Sequence, residues 1–217
     1  MTETPRCAAD PQHDSVPKYA SISDALNPKV FANVGGPSSE ELFYQVGLAT
    51  SMFEKIQDEV VQLFDQLCGG PFGRISPMGE IIGATSSFNV KMDLVTQAAR
   101  SLIADENKQA AVLRWLKLAT KASLVRNKIA HGRPVGVHFV VEGENRRGTF
   151  WAPSLFDTRK VGWPKISAEW DYCWNAEQIR EYSSAFHLTS AMLMTVREQL
   201  AGVGEESIPS VLNLATM

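Results

Sequence analysis

The stretch SLVRNKIAHGRP, residues 123–134, closes a long helical pattern and organises the reading of the chain around it. Gly132 follows His131 directly and is the residue type that best tolerates the left-handed conformation past a helix end. Pro134 opposes continuation. The expectation is a helix whose last turn holds His131, with Arg126 about one and a half turns earlier. Upstream, Ala111, Trp115, Leu118, Ala122, Val125 and Ile129 recur at steps of four and three, the mark of a helix with one buried face. With Val125 at zero and about 100° per residue, Arg126 falls at about 100°, Ala130 at about 140°, Asn127 at about 200° and His131 at about 240°. Arg126 and His131 then flank a shallow valley floored by Ala130 and Asn127, pointing away from the stripe. Asn127 and His131 are four apart, so the amide is placed to hydrogen-bond the imidazole and fix its tautomer. Leu116, Ala119 and Ser123 are expected on the same outer face, where small residues let a second helix approach.

Working outward, three more helices are expected. Leu42, Val46, Ala49, Phe53, Ile56, Val60, Leu63 and Leu67 form a heptad-like seam over about Ser39 to Cys68, which predicts near-antiparallel packing in a bundle. Ser38, three before Glu41, has capping-box spacing, and Gly69-Gly70-Pro71 ends the run. Pro71 to Gly83 reads as a loop. A second helix covers about Ser86 to Ala104, with Phe88, Val95, Leu102 and Ile103 on its apolar side, and Asp105 or Asn107 caps the third. The last runs from the capping box of Asn175 and Gln178, with Ile179, Tyr182, Phe186, Thr189, Leu193, Val196 and Leu200 on one side, to Gly202 and Gly204. Between the third and last helices, Val135 to Val141 and Thr149 to Ala152 read as a β-hairpin around a polar turn, Glu142 to Gly148. The segment Trp151 to Trp174 holds Trp151, Trp163, Trp170 and Trp174, with Phe156 and Tyr172. Such aromatics stack on unpaired bases in some proteins, but packing of an irregular loop onto the domain is the favoured reading.

The fold class is therefore mainly α: an up-and-down bundle of about four main helices with a small inserted β-hairpin. One domain spans 38–204, with its hairpin and Trp-rich loop at about 135–174. It follows a poorly ordered arm, 1–37, which the pair Val30-Phe31 anchors, and precedes a tail, 205–217.

Hydrophobic residues make up 44% and charged residues 21%, ordinary values for a soluble protein. No apolar run approaches the ~20 residues that span a bilayer, so no membrane is expected. The first residues do not read as a secretion signal. Cys7, Cys68 and Cys173 are odd in number and far apart, which favours a reducing cytoplasm and no structural metal. His13, His138 and His187 form no metal set with them, and no phosphate loop, Ser/His/Asp arrangement or Cys-x-x-Cys pair is present, so no cofactor is expected. The net charge of −3 argues against a generic nucleic-acid coat protein. Yet from Asn107 to Val141 there is no acidic residue, while Lys108, Arg114, Lys117, Lys121, Arg126, Lys128 and Arg133 all fall there. That is either a polyanion site or a solvated face balanced by acids elsewhere. Glu54, Asp58 and Glu59 on the first helix read as solvated charges, with orientation of a basic residue as the alternative. Lys91 reads as a surface lysine, with phosphate neutralisation as its alternative.

Arg126-Asn127-x-x-x-His131-Gly132, at the end of a long helix, resembles the R-x(4–6)-H signature of the HEPN superfamily. The resemblance covers roughly Ser38 to Gly202. It implies a helical bundle that forms a homodimer with two motifs facing one cleft, and metal-independent endoribonuclease activity in stress response, toxin–antitoxin systems or phage defence. By this resemblance His131 transfers protons, Arg126 stabilises the phosphate and Asn127 positions His131, with Lys91, Lys121, Lys128 and Arg133 as further RNA contacts. An antitoxin or regulatory protein partner is also implied. In HEPN toxins paired with a nucleotidyltransferase, a tyrosine usually stands two residues after the histidine. Arg133 stands there in this chain, which puts neutralisation through that residue in doubt. The alternative function is a non-catalytic helical dimer, either a protein-interaction or an RNA-binding module, whose histidine caps the helix dipole and whose arginine pairs with Glu54 or Glu59.

Overall fold

The computed structural model describes residues 39–141, 144–153 and 172–202. The arm with Val30, Phe31 and Ser38, the aromatics Phe156, Trp163 and Trp170, and the tail 205–217 lie outside the described residues.

Helix α1, Ser39–Leu67, follows its seam: Leu42, Ala49, Phe53, Ile56, Val60 and Leu63 are buried, with Val46 and Leu67 partly so. Gly69 ends it at φ +86°, a left-handed conformation open to glycine because it lacks a Cβ. The expected loop 71–83 contains a helix, α2, Pro77–Gly83, with Ser76 as its N-cap and Pro77 in the first turn. The start signal was local, but seven residues are too few for a repeating stripe to show. Helix α3 is Phe88–Leu102, capped by Ser87 and shorter than expected. Helix α4 is Glu106–His131, and the Asp105 carboxylate accepts from the amides of Asn107 and Lys108 at 2.9 and 3.0 Å. Strands β1, Gly132–Val141, and β2, Glu144–Pro153, pair antiparallel from Gly132 opposite Pro153 to Val141 opposite Glu144. Helix α5, Ala176–Leu200, begins at the capping box of Asn175 and Gln178. Among the described residues this is a mainly helical bundle of five helices with one small two-stranded hairpin.

Side-chain pairs give the directions of the helices. Phe53 meets Phe186, and Glu59 meets Arg197, so α1 and α5 run parallel along their extensive contact. The near-antiparallel packing that the seam of α1 predicts is met by α4, while α5 runs parallel because the hairpin returns the chain to the end of the bundle where α1 starts. Helix α3 also begins midway along α1, with Phe88 on Phe53 at 5.2 Å. Helix α4 runs the other way: Arg126 reaches Glu54, and the end of α4 meets Trp151, which touches Phe43 near the start of α1. Helix α4 packs on α1, α3 and α5 together. Leu116, Ala119 and Ser123, expected on an outer face, are therefore buried. A helix with three neighbours buries more than one stripe.

Asp65 ties α2 to α1. Its buried carboxylate accepts from the Ser76 hydroxyl and from the amides of Ser76 and Gly79, each amide at 3.0 Å. Burial pushes its pKa up, but those donors outweigh burial and hold it below the usual 3.8. Asp65→Ala leaves buried donors unpaired and is expected to cost about 1–3 kcal/mol. Thermal unfolding should read this as a loss of about 2–4 °C per kcal/mol. Because the folded-state pKa is depressed, the contribution is complete above the unfolded-state value and lost as pH falls through the folded-state value. The gap between wild type and Asp65→Ala should therefore close in acid.

Candidate functional site

An α-helix leaves its last carbonyls without internal partners. In α4 two of them are met by aromatic donors: Trp151 Nε1 donates to the Ile129 carbonyl at 2.9 Å, and the Tyr172 hydroxyl to that of Lys128 at 2.8 Å. Trp151 is itself held by a backbone bridge to Trp174, with N–H···O distances of 2.6 and 2.9 Å. Trp174 lies against Tyr172 and Tyr182, with ring centroids at 4.4 and 4.8 Å. Trp151, Tyr172 and Trp174 are all buried, so these three aromatics of the Trp-rich segment pack as favoured.

The same packing corrects the reading of Gly132. Its φ is −81° and its ψ 177°, an extended conformation, and β1 starts at once with no left-handed residue. Glycine is needed because a Cβ there would overlap the Trp151 indole. The hairpin is also longer than expected, since β1 takes in Gly132 to Pro134 and β2 begins at Glu144, inside the stretch read as a turn.

This junction presents the motif. Helix α3 is roughly 22 Å long and α4 roughly 39 Å, so α3 covers only the first part of α4. The arc that holds buried Leu116, Ala119 and Ser123 upstream is open downstream, where Asn127, Ala130 and His131 are exposed. Across from it, α1 presents Phe43, Gly47, Ser51 and Glu54 on one exposed face. These two exposed faces meet where Arg126 of α4 reaches Glu54 of α1.

Arg126 stands between the two helices, against Phe53 and Glu54 of α1. Its guanidinium carbon stands 5.6 Å from the Phe53 ring centroid, a cation–π arrangement. Nη2 is 3.6 Å from Glu54 Oε1, and Nη1 points to Asn127 Oδ1 at 3.5 Å. Nε is buried and has no hydrogen-bond partner among the described residues. The expected Asn127–His131 bond is not made: the amide oxygen of Asn127 turns to Arg126, and His131 makes no hydrogen bond among the described residues. The competition decides this, since a cation one residue away is the stronger partner for an amide oxygen.

Glu54, read as a solvated charge, is the partner of Arg126, while Glu59 belongs to Arg197 at 3.1 Å. Burial raises the Glu59 pKa despite Arg197 beside it. Lys91 is 8% exposed, not the surface lysine that pattern alone favoured, because α3 is flanked by both α1 and α4. Lys121 and Lys128 are half-buried at about 320° and 300° on the helical wheel, on the other flank of α4 from Arg126. Lys128 stands over the Tyr172 ring at 5.4 Å. Arg133 is half-buried in β1, opposite Ala152. Arg126 and Asn127 thus meet each other at the end of α4, His131 is exposed on the same last turns, and Lys121 and Lys128 lie on the flank away from Arg126. Sequence reasoning missed the capping roles of Trp151 and Tyr172. Their amphipathic tips were the available signal, but the carbonyls they meet lie 22 and 44 residues away in sequence.

Comparison with known proteins gives no match to a family model, to a curated protein or to a solved structure. Among the described residues no helix is long and apolar enough to cross a membrane, and no group of three or more His, Cys, Asp or Glu is placed to hold a metal ion.

Gly132→Ala is expected to destabilise the fold by about 1–3 kcal/mol through overpacking against Trp151. Trp151→Phe, which removes the indole donor, should cost about 1–3 kcal/mol. Denaturant unfolding of both variants checks this, and His131 exposure predicts that His131→Ala stays within about 0.5 kcal/mol of wild type.

Proposed function

We propose that the chain is a HEPN-like endoribonuclease that cleaves RNA by 2′-hydroxyl attack without a metal, acting as a homodimer. The observation that carries the reading is that Arg126 and an exposed His131, whose imidazole makes no hydrogen bond among the described residues, stand on the last turns of α4. The 2′-oxygen attacks the adjacent phosphorus as a base takes its proton. The 5′-oxygen leaves with a proton from an acid. The products are a 2′,3′-cyclic phosphate and a 5′-hydroxyl. Histidine suits both proton transfers near neutral pH. The arginine fork suits the phosphorane oxygens, whose charge grows in the transition state. One protomer offers one such histidine, so acid and base roles together call for a second copy. Leu124, 62% exposed, lies one turn before Asn127 on the face that also carries His131, which fits a partner on that side. The setting proposed is a cytoplasmic stress, toxin or phage-defence response, with a regulatory protein as a further partner.

A second reading is supported by the Arg126–Glu54 pair and the same exposed Leu124: a non-catalytic helical dimer, or an RNA-binding module, in which the arginine only braces α4 against α1. The two readings separate in one assay, cleavage of labelled single-stranded RNA in excess EDTA. The ribonuclease reading expects a cyclic-phosphate product, a loss of about 10²–10⁴-fold in His131→Ala and about 10²–10³-fold in Arg126→Ala, with folding intact. No cleavage by wild type across several RNAs, together with lost dimer or lowered Tm in the variants, overturns it. Leu124→Asp is expected to shift the protein toward monomer in sedimentation and to reduce cleavage with it.

A further inference from the structure

Resting on the ribonuclease reading, we infer that Glu54 is a resident competitor for the phosphate at Arg126: the carboxylate occupies the place that a phosphodiester takes, and binding exchanges one anion for the other. Glu54 is thus a positioning residue that acts through Arg126.

Three features carry this. First, the Arg126–Glu54 contact is loose. At 3.6 Å it is an ion pair without a hydrogen bond, and the two side chains are 30% and 53% exposed. Pairs of this kind hold weakly, so an incoming dianionic or polyanionic ligand can displace the carboxylate. Second, Arg126 is incompletely satisfied. Among the described residues its Nε is buried without an acceptor, and Glu54 meets Nη2, beside it on the same edge of the guanidinium. A phosphate, with more than one oxygen to offer, matches both donors of that edge. Third, Glu54 has somewhere to go. Its other oxygen, Oε2, accepts from Gln57 Nε2 at 2.5 Å, on the exposed side of the same helix. A released Glu54 therefore keeps a partner and meets water, while Arg126 stays aimed by the Phe53 ring. The exchange leaves no buried charge unpaired in either state.

The test compares wild type, Glu54→Gln, Asp58→Asn, Arg126→Ala and the double variant Glu54→Gln/Arg126→Ala. Asp58 is an exposed acid one turn along α1 and controls for the general effect of removing a negative charge. Two probes are titrated: a 2′-O-methyl oligoribonucleotide, which cannot be cleaved by this route, in all five proteins, and inorganic phosphate in the three that keep Arg126, followed at its Nε–H resonance by NMR. The expected result is that Glu54→Gln tightens binding of both probes by about two- to fivefold. Asp58→Asn should do less, and the gain should vanish in the double variant relative to Arg126→Ala. A gain in Glu54→Gln no larger than in Asp58→Asn, or one that persists without Arg126, overturns the exchange while leaving the ribonuclease reading standing. Oligonucleotide binding that ignores Arg126, while phosphate still binds there more tightly in Glu54→Gln, overturns the ribonuclease reading and leaves the anion exchange. Failure of phosphate to perturb Arg126 in any of the three proteins that keep it overturns the exchange outright.

Discussion

The final carbonyls of α4 have no partners within the helix, and two of them are met by side chains brought from far along the chain. The Trp151 indole and the Tyr172 hydroxyl close the helix end, and Gly132 makes room for the indole. Buried carbonyls left open would each carry a desolvation penalty, so this closure sets where α4 stops and where the hairpin begins. It also brings the chain back to the start of α1, which is why α1 and α5 lie parallel. The Trp151–Trp174 bridge, the hairpin and the first turn of α5 are consequences of one helix end being satisfied.

The site follows from a difference in length. Helix α3 starts midway along α1, so among the described residues it does not cover the far end of α4, where Asn127, Ala130 and His131 are exposed. Phe53 links the two regions: its ring meets Phe88, Phe186 and the Arg126 guanidinium. A side chain in the core thereby aims a cation at solvent. His131, on the last turn, is exposed and its ring has no hydrogen bond among the described residues, while its neighbours on β1 are tied into the ladder. Rigid support beneath an open polar face is what acid–base and phosphate chemistry both require. A helical bundle of this shape does not by itself define an activity. The functional reading therefore rests on the chemistry of Arg126, Asn127 and His131 and on where they stand.

Much of the fold was legible in the sequence because helices write a period into it. The seams of α1 and α5, the Asp105 cap and the Asn175–Gln178 box are local, and each appears where the pattern placed it. The motif's position at the end of α4 was legible for the same reason. What misled was every feature that depends on how many neighbours a helix has or on which partner wins. Leu116, Ala119 and Ser123 looked exposed, Lys91 looked like a surface residue, and Asn127 looked like the partner of His131.

The sequence by itself determined the four long helices, the caps at Asp105 and Asn175, and the placing of an arginine, an amide and a histidine within six residues. Periodicity and capping act over a few residues and need no knowledge of the rest of the chain. Only the tertiary structure decided that Gly132 serves a tryptophan and not a left-handed turn, that α1 and α5 run parallel, and that Arg126 faces Glu54. Those outcomes come from contacts between residues tens of positions apart, where packing and competition for charge leave no local mark.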